Sequence, residues 1–218
     1  MTGREFKDLV FQQFANVATA FSSPKRLEIL DLLIQGEKDV ETLSKQISAS
    51  FANTSRHLQI LKNARLVESR RDGVRIYYRI TDDKVFSCWK SLQLLAESRI
   101  TEMKWVLKEF LDERGAVNAV SKDELLSLIN SGGVVVIDVR PEEEYKNGHI
   151  KGAISIPLSE LKNRLNEIPV NHEVVAYCRG PYCVLAPEAV KIFKDNGYTA
   201  LRLSEGLPEW KEAGLPVE

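Results

Sequence analysis

In the first half of the chain, apolar residues recur at the spacing of an amphipathic helix. Residues 4–21 carry an apolar stripe that consists of Phe6, Leu9, Val10, Phe14, Val17 and Phe21. The stripe is richer than an isolated surface helix needs, so we expect it to face a partner surface. The same spacing predicts further helices at about residues 25–35, 40–47, 52–64 and 83–113. Residues 67–80 are rich in β-forming residues instead and predict a hairpin, with residues 70–73 as its turn.

The second half of the chain alternates between helical and extended patterns. Strands are predicted at residues 134–137, 153–156, 173–177 and 199–203, and helices at 122–130, 160–168, 184–196 and 208–213. This alternation is typical of a parallel sheet covered by helices. A break near residues 115–118 leads us to expect two domains, a mainly α domain at residues 1–115 and an α/β domain at residues 118–218.

Charge is distributed unevenly between these halves. The 218 residues have a formal net charge of −1, but residues 1–115 hold 19 basic and 16 acidic side chains. Residues 52–79 alone hold seven Lys or Arg and two acids. A local excess of this kind indicates a polyanionic partner, which we expect to be double-stranded DNA.

The three cysteines, Cys88, Cys178 and Cys183, are too few for a disulfide framework. The N-terminus lacks the apolar core of a signal peptide, and no apolar run approaches the roughly 20 residues that a membrane span needs. We therefore expect a cytoplasmic protein that has no membrane partner.

The patterns at residues 40–47 and 52–64, with a break at 48–50, predict a helix-turn-helix whose second helix enters the major groove. That helix carries side chains suited to base edges and phosphates, namely Asn53, Thr54, Ser55, Arg56, His57, Gln59 and Lys62. The hairpin adds Arg70, Arg71 and Arg75, placed for the DNA backbone or minor groove. These features predict a winged helix; the alternative is a polar surface that is merely solvated.

Residues 23–30, 55–61, 66–67 and 73–80 resemble the family of ArsR-type winged-helix repressors. The resemblance implies a homodimer, formed through the first and last helices of this domain, that binds an operator until an inducer releases it. Metal-sensing members use a pair of thiols before the recognition helix or histidines on the last helix, but residues 37–41 contain no thiol and residues 83–113 contain no histidine. Because soft and borderline metals need such ligands, we expect no metal site and no cofactor. Cys88 is either a small buried residue or a redox sensor.

Cys178 follows a predicted buried strand and precedes a predicted helix. Backbone amides and the helix dipole are expected to lower the pKa of its thiol and to make it a nucleophile. A cysteine phosphatase needs Arg six residues later, where Val184 stands. The spacing of Cys178 and Cys183 also differs from the Cys-x-x-Cys of thioredoxin-type sites, and a zinc site lacks two further ligands.

The second half resembles rhodanese domains. The resemblance rests on residues 136–145, 148–153 and 156–157, and on the closing segment 203–210, in which Glu205 replaces the usual first glycine. It implies a sulfurtransferase in which Cys178 takes sulfane sulfur from a donor such as thiosulfate or polysulfide. The fold class expected is thus a mainly α winged helix-turn-helix domain followed by an α/β rhodanese-like parallel sheet.

We expect different roles for the residues of the loop at 178–184 and for the residues around it. An anion cradle is expected from the backbone amides of Arg179, Gly180, Tyr182, Cys183 and Val184, whereas Pro181 has no N–H. Asp138 and Arg140 are expected to support the loop by hydrogen bonding. Cys183 either attacks a Cys178 persulfide to leave a disulfide or fills a small space, and Arg179 either attracts an anionic donor or is solvated.

The hypothesis drawn from both halves is a repressor whose operator affinity is controlled by sulfane sulfur or redox chemistry at Cys178. One alternative is a sulfurtransferase whose winged helix serves autoregulation. A second is a constitutive DNA binder with an inactive rhodanese fold.

Overall fold

The computed structural model of the protein describes residues 1–169 and 172–218. Contacts within the chain divide it into two compact units, Met1–Leu95 and Ala96–Glu218, and each unit has a hydrophobic core of its own. Residues 96–115, which the sequence pattern groups with the first domain, belong by their contacts to the second unit.

The first unit begins with helices whose N-termini are set by local side chains. Thr2, Asp39 and Ser50 each accept a hydrogen bond from a backbone amide in the first turn of the helix that follows. The helices are α1 (Gly3–Phe21), α2 (Pro24–Ile34), α3 (Val40–Gln46) and α4 (Phe51–Asn63). The predicted bounds of all four differ from these by at most one residue.

The hairpin of the first unit consists of β2 (Val67–Asp72) and β3 (Arg75–Ile80), and β1 (Lys38–Asp39) pairs with the outer edge of β3. The predicted turn at residues 70–73 is wrong, because the antiparallel ladder continues until Asp72 faces Arg75. The turn is therefore Gly73-Val74. A two-residue hairpin turn needs a positive φ, which Gly73 supplies with a φ of 59°.

The single helix predicted over residues 83–113 is two helices, α5 (Asp83–Arg99) and α6 (Thr101–Asp112). Ile100 between them has extended backbone, and β-branched Ile100 and Thr101 are weak helix formers. The apolar periodicity continues through the break and so conceals it. Leu107 and Phe110 of α6 pack against the core of the second unit, where Leu111 is buried.

One face of α1 remains uncovered within its own unit. Only Ala20 and Phe21, at its C-terminal end, are buried. Phe6, Leu9, Phe14 and Val17 lie along the same stripe and are between 39% and 62% exposed. A contiguous apolar stripe of this length is typical of a protein–protein interface.

The predicted parallel sheet of the second unit is confirmed. Its strands follow the spatial order β4-β8-β7-β5-β6, and all neighbours pair in parallel. The strands are β4 (Ala119–Val120), β5 (Val134–Asp138), β6 (Ile154–Ser155), β7 (Glu173–Tyr177) and β8 (Ala200–Leu203). The helices of this unit after α6 are α7 (Lys122–Ser131), α8 (Glu142–Lys146), α9 (Leu161–Arg164), α10 (Leu185–Asp195) and α11 (Leu207–Glu212).

Side chains alternate along these strands and build a core on each face of the sheet. Val174 and Ala176 of β7 face one core, which includes Phe193 of α10. Val175 and Tyr177 face the other, which includes Trp210 of α11. The carboxyl ends of β5, β7 and β8 meet at one edge of the sheet, as they must in a parallel arrangement. Among the described residues, no helix is both long and apolar enough to cross a membrane.

Candidate functional site

The outer face of α4 presents polar side chains at helical spacing. Asn53, Arg56, Gln59 and Lys62 recur every three residues and are all exposed, while Leu58 and Leu61 are buried beneath them. A helix with one packed face and one row of amide and basic side chains suits the major groove.

Not every predicted DNA contact is available on α4. Thr54 is fully buried and its hydroxyl donates to the carbonyl of Ser50, so it packs inside the unit and its assignment to DNA is corrected. Ser55 and His57 are partly exposed. Burial lowers the pKa of His57, and the charges of nearby Arg26 and Arg56 add to this effect. The imidazole is therefore neutral at physiological pH.

The wing arginines are exposed but already have partners. Arg70 pairs with Glu37 and with Asp72, and the Nε of Arg71 donates to the carbonyl of Gly73 at 3.0 Å. A nitrogen of Arg75 lies 3.8 Å from a carboxylate oxygen of Asp39. These exposed pairs are weak, so phosphate groups of DNA can displace the carboxylates.

The loop after β7 is held tightly against the closing segment of the chain. Cys178 directly follows β7 and is only 3% exposed. A Cβ added to Gly206 would lie 2.3 Å from the carbonyl carbon of Arg179, so this position requires glycine. The amide of Leu207 donates to the carbonyl of Cys178 at 3.4 Å, and the loop therefore cannot move independently of residues 206–207.

The side chains of the two cysteines of this loop interact, and the Cys178 thiol donates to the carbonyl oxygen of Cys183 at 3.7 Å. Burial raises the pKa of Cys178 well above its ordinary value, and the interaction with the Cys183 side chain adds to the rise. The same side-chain interaction lowers the pKa of Cys183 to about 7. The proton stays on Cys178, and Cys183, which is partly exposed, carries the thiolate.

The pKa of Cys178 therefore shifts in the direction opposite to the predicted one, mainly because the thiol is buried, and the loop geometry acts in the same sense. The sulfur of Cys178 lies 3.9 Å from the carbonyl oxygen of Gly180 and 3.7 Å from that of Cys183. Carbonyl oxygens favour the neutral thiol over the thiolate. In the first turn of α10, the amide of Leu185 points to the sulfur of Cys183, and the amide of Ala186 points to that of Cys178.

The anion cradle expected around Cys178 is only partly present. The amide of Gly180 faces Cys178, and that of Arg179 faces Cys183. The amide of Cys183, however, donates to the carbonyl of Gly180 at 3.1 Å and is not available to a ligand. Leu185 and Ala186 supply sulfur-facing amides that the sequence analysis did not name.

Arg179 is neither solvated nor free to meet an anion. Its guanidinium donates three hydrogen bonds to the carboxylate of Glu144, the shortest of 2.7 Å. Glu144 lies on α8 and is fully buried. A paired guanidinium in this position fixes the backbone of the loop.

Asp138 and Arg140 form a buried hydrogen-bonded network at the end of β7, directly before the loop. Both are fully buried, and the Arg140 guanidinium donates to the Asp138 carboxylate at 2.6 Å. Tyr177 donates its hydroxyl to the same carboxylate at 2.6 Å and accepts from the amide of Ile150. Burial raises the pKa of Tyr177, so the phenol remains a donor. This network joins the ends of β5 and β7.

Comparison with known proteins assigns both units. Residues 23–69 match the arsR family of bacterial regulatory proteins, and residues 121–213 match the rhodanese-like domain. The HTH-type transcriptional regulator Rv0324 of Mycobacterium tuberculosis is 42% identical over 212 residues, which cover 97% of this chain and 93% of that protein. The chain belongs to the ArsR family of transcriptional regulators.

Further relatives match one half of the ArsR-family regulator. A sulfurtransferase of Allochromatium vinosum is 30% identical over 103 residues, which cover 46% of this chain and 94% of that protein. The solution structure of the homodimeric winged helix-turn-helix domain (fragment 1–100) of Mb0332 from Mycobacterium bovis is 37% identical. The aligned region covers 46% of this chain and 91% of the Mb0332 fragment, with a TM-score of 0.42.

The third cysteine of the regulator lies apart from the loop. Cys88 is exposed on α5, which contradicts the first of its two alternatives, a small buried residue. Within the described part of the regulator, no group of three or more His, Cys, Asp or Glu side chains is arranged to hold a metal ion.

Two positions that shape the loop escaped the sequence analysis. Glu144 is one of three successive glutamates, and nothing in the local pattern separates it from its exposed neighbours. Gly206 lies in a segment that resembles the rhodanese closing motif, but its contact with Arg179 joins residues that are distant in the sequence. Contacts of this kind have no signal in periodicity.

Replacing Asp138 with Ala should destabilise the rhodanese-like domain of the regulator by about 3–5 kcal/mol, because the buried Arg140 guanidinium would lose the carboxylate with which it forms a salt bridge. Hydrogen exchange of the β5 and β7 amides measures this loss for the sheet itself. Glu142→Ala, which removes the exposed partner of Lys146, is the matched control and should leave exchange unchanged. A loss for Asp138→Ala of under about 1 kcal/mol, as for an exposed pair, would contradict the account.

In a Cys88→Ala background, alkylation of Cys183 by iodoacetamide should rise with pH through about pH 7, because only the thiolate is nucleophilic. Cys178→Ala removes the side chain that contributes most to the lowered pKa of Cys183, so its midpoint should move to higher pH. Peptide mass spectrometry at successive pH values measures both midpoints. An unchanged midpoint in Cys178→Ala would show that the interaction with Cys178 does not set the pKa.

Proposed function

We propose that this ArsR-family regulator binds an operator as a homodimer and that thiol chemistry at Cys178 and Cys183 controls its affinity for DNA. The observation that carries the proposal is the pair of interacting cysteine side chains in one short loop of a chain that also has a winged helix-turn-helix domain. Two cysteines held in one loop can form a disulfide if the backbone brings their Cβ atoms to the required separation. A sulfur donor therefore changes the covalent structure of the loop.

The donor supplies both sulfur and oxidising equivalents. A cysteine thiolate attacks the sulfane sulfur of thiosulfate, displaces sulfite and becomes a persulfide; with an inorganic polysulfide, a shorter polysulfide leaves. The second cysteine then attacks the inner sulfur of the persulfide. The outer sulfur takes up the proton of that thiol and departs as hydrosulfide, leaving a disulfide between Cys178 and Cys183.

Tyr182 offers a physical route from this loop towards the DNA-binding unit. Its hydroxyl donates to Glu97 near the C-terminal end of α5. Burial raises the pKa of Tyr182, and the hydrogen bond to Glu97 raises it further, so the contact persists at neutral pH. α5 begins at Asp83 in the first unit. A loop that closes around a disulfide displaces Tyr182 and acts through Glu97 on this helix.

Two further features support operator binding by a dimer. The exposed side chains of α4 and the arginines of the hairpin lie within residues 52–79, which contain seven basic and only two acidic residues. This excess of positive charge suits contacts with phosphate groups. The uncovered apolar stripe of α1 gives a second copy a surface to bury. Two copies present two recognition helices to successive turns of the major groove.

A sulfurtransferase whose winged helix serves autoregulation is the second candidate. It is favoured by the position of Cys178 and Cys183 at the carboxyl edge of a parallel sheet, where α/β proteins bind their ligands. In that case the persulfide is passed to an external thiol or to cyanide, and operator affinity does not depend on it.

Thiosulfate or inorganic tetrasulfide should weaken operator binding by wild type about 5–150-fold, which is the usual range of coupling between two sites. Cys178→Ser and Cys183→Ser should not respond, because neither can form the disulfide. Fluorescence anisotropy measures the affinity, with a duplex selected from a random pool by the reduced protein. Cys88→Ser is the matched control and should respond like wild type.

Equal affinity with and without donor in all four proteins would contradict sulfur control. If thiosulfate:cyanide transfer is then detected and disappears in Cys178→Ser or Cys183→Ser, the sulfurtransferase is supported. If no transfer is detected either, a constitutive DNA binder with an inactive rhodanese fold remains.

Phe6→Asp combined with Phe14→Asp should convert the dimer into a monomer, because two charges on the α1 stripe cannot be buried without partners. Sedimentation equilibrium measures the change, and operator affinity should fall with it. Ala15→Asp lies on the opposite side of α1 and should remain dimeric. A double variant that stays dimeric would exclude this surface as the interface.

A further inference from the structure

A pocket of about 450 Å³ adjoins the cysteine loop within the second unit. α6 forms one wall with Met103, Val106 and Phe110, and the loop with the start of α10 forms the other with Tyr182, Cys183 and Val184. Its volume is within the range of small-molecule sites, which is roughly 300–1,000 Å³. The apolar spacing of the sequence gives no sign of this pocket, because the spacing predicts that α6 is part of one long helix.

The lining of the pocket selects against charge. Its side chains are almost all aliphatic or aromatic, and the single charged residue among those that line it is Glu102. The Tyr182 hydroxyl is already bonded to Glu97, and Arg179 to Glu144. An anionic donor would therefore lose its hydration beside a like charge, with no cation in the lining to compensate. A neutral, apolar molecule enters the pocket without this loss of hydration free energy.

The pocket also distinguishes between the two thiols. Cys183 is part of its lining and is partly exposed, whereas Cys178 is buried behind the loop backbone and does not line it. A molecule in the pocket therefore meets the sulfur of Cys183 first, and Cys178 is reached only through Cys183.

We propose that this pocket binds neutral organic di- and polysulfides and that Cys183, rather than Cys178, is the thiol that reacts with them first. The proposal rests on the proposed function, for which it names the class of inducer. The apolar groups of the ligand contact Met103, Val106 and Phe110, and its sulfur–sulfur bond lies against Cys183.

The reaction balances without a further oxidant. The Cys183 thiolate attacks one sulfur of R–S–S–S–R, forms a mixed disulfide Cys183–S–S–R, and displaces the perthiolate R–S–S⁻. Cys178 then attacks the sulfur of Cys183, forming the protein disulfide, and R–S⁻ leaves. The proton of the Cys178 thiol passes to a leaving group. The two cysteines are oxidised and the trisulfide is reduced to a thiol and a perthiol.

Two trisulfides of matched length test the proposal on the full chain. Dipropyl trisulfide is neutral, and 3,3′-trithiodipropionate carries a carboxylate in place of each methyl group. The rate of Cys183 modification is measured by quenched flow with peptide mass spectrometry, relative to a denatured sample. The neutral probe should react at least about ten-fold faster than the dianion, because the dianion has to lose hydration.

Val106→Glu places a second charge in the pocket at an exposed position, which folding tolerates. It should slow the neutral probe about ten-fold or more. Trp105→Glu is the matched control, since Trp105 is as exposed on the same helix (68% against 67%) but does not line the pocket. It should leave the rate unchanged.

The order of the thiols is tested separately. In Cys178→Ser the mixed disulfide on Cys183 should accumulate, because the thiol that would resolve it is missing. In Cys183→Ser the modification of Cys178 should slow at least about ten-fold relative to wild type, because its sulfur is buried and protonated. Cys178 modification at the wild-type rate in Cys183→Ser would overturn the order.

Other outcomes bear on the pocket itself. Equal rates for the two probes, or no effect of Val106→Glu, would overturn the ligand class. The rate with the neutral probe is also measured at increasing protein concentration. If the rate falls as the protein associates, a second copy covers the pocket, and the assignment of the pocket to a small ligand is overturned. If both probes weaken operator binding equally, sulfur control stands and this proposal fails. If the rates are as expected and operator affinity never changes, the proposed function fails and the pocket stands.

Discussion

The interaction between the side chains of Cys178 and Cys183 is the one on which the proposed chemistry of this regulator depends. It requires a loop whose backbone is fixed on both sides. On one side Gly206 approaches the loop too closely for any side chain, and on the other Glu144 holds the Arg179 guanidinium. In the loop fixed in this way, Cys178 is a buried thiol and Cys183 a partly exposed thiolate. Stepwise disulfide formation needs a thiolate that attacks the donor first and a second thiol that then attacks the modified cysteine.

Periodicity predicted much of the fold because burial in each unit follows a regular face. Helix bounds in the first unit follow the apolar spacing and the capping side chains, and the parallel sheet follows from continuous apolar strands. The break at Ile100 was not predictable in this way, since the apolar spacing continues through it. The prediction for Thr54 was wrong because a hydroxyl on a polar helix can donate to the carbonyl of the residue four positions earlier. Thr54 does so with Ser50 and packs in the interior of the unit.

The sequence pattern identified Cys178 and Cys183 as candidate site residues, but it did not predict the directions in which their pKa values shift. Sequence order shows that Cys178 follows a strand and precedes a helix, and this favours a low pKa for that thiol. The actual direction depends first on burial, which together with the interaction with Cys183 raises the pKa of Cys178 more than the amides of Ala186 and Gly180 lower it. Neither the buried partner of Arg179 nor the pocket beside Cys183 has a local sequence signal.

The central claim is that the state of the Cys178–Cys183 pair sets operator affinity. The most direct measurement equilibrates the protein in a series of thiol–disulfide buffers and follows, in the same samples, the fraction of this disulfide and the fraction of operator bound. The account predicts that both titrate with one midpoint and that adding reduced thiol reverses both. A disulfide that forms fully while operator binding stays constant would contradict it.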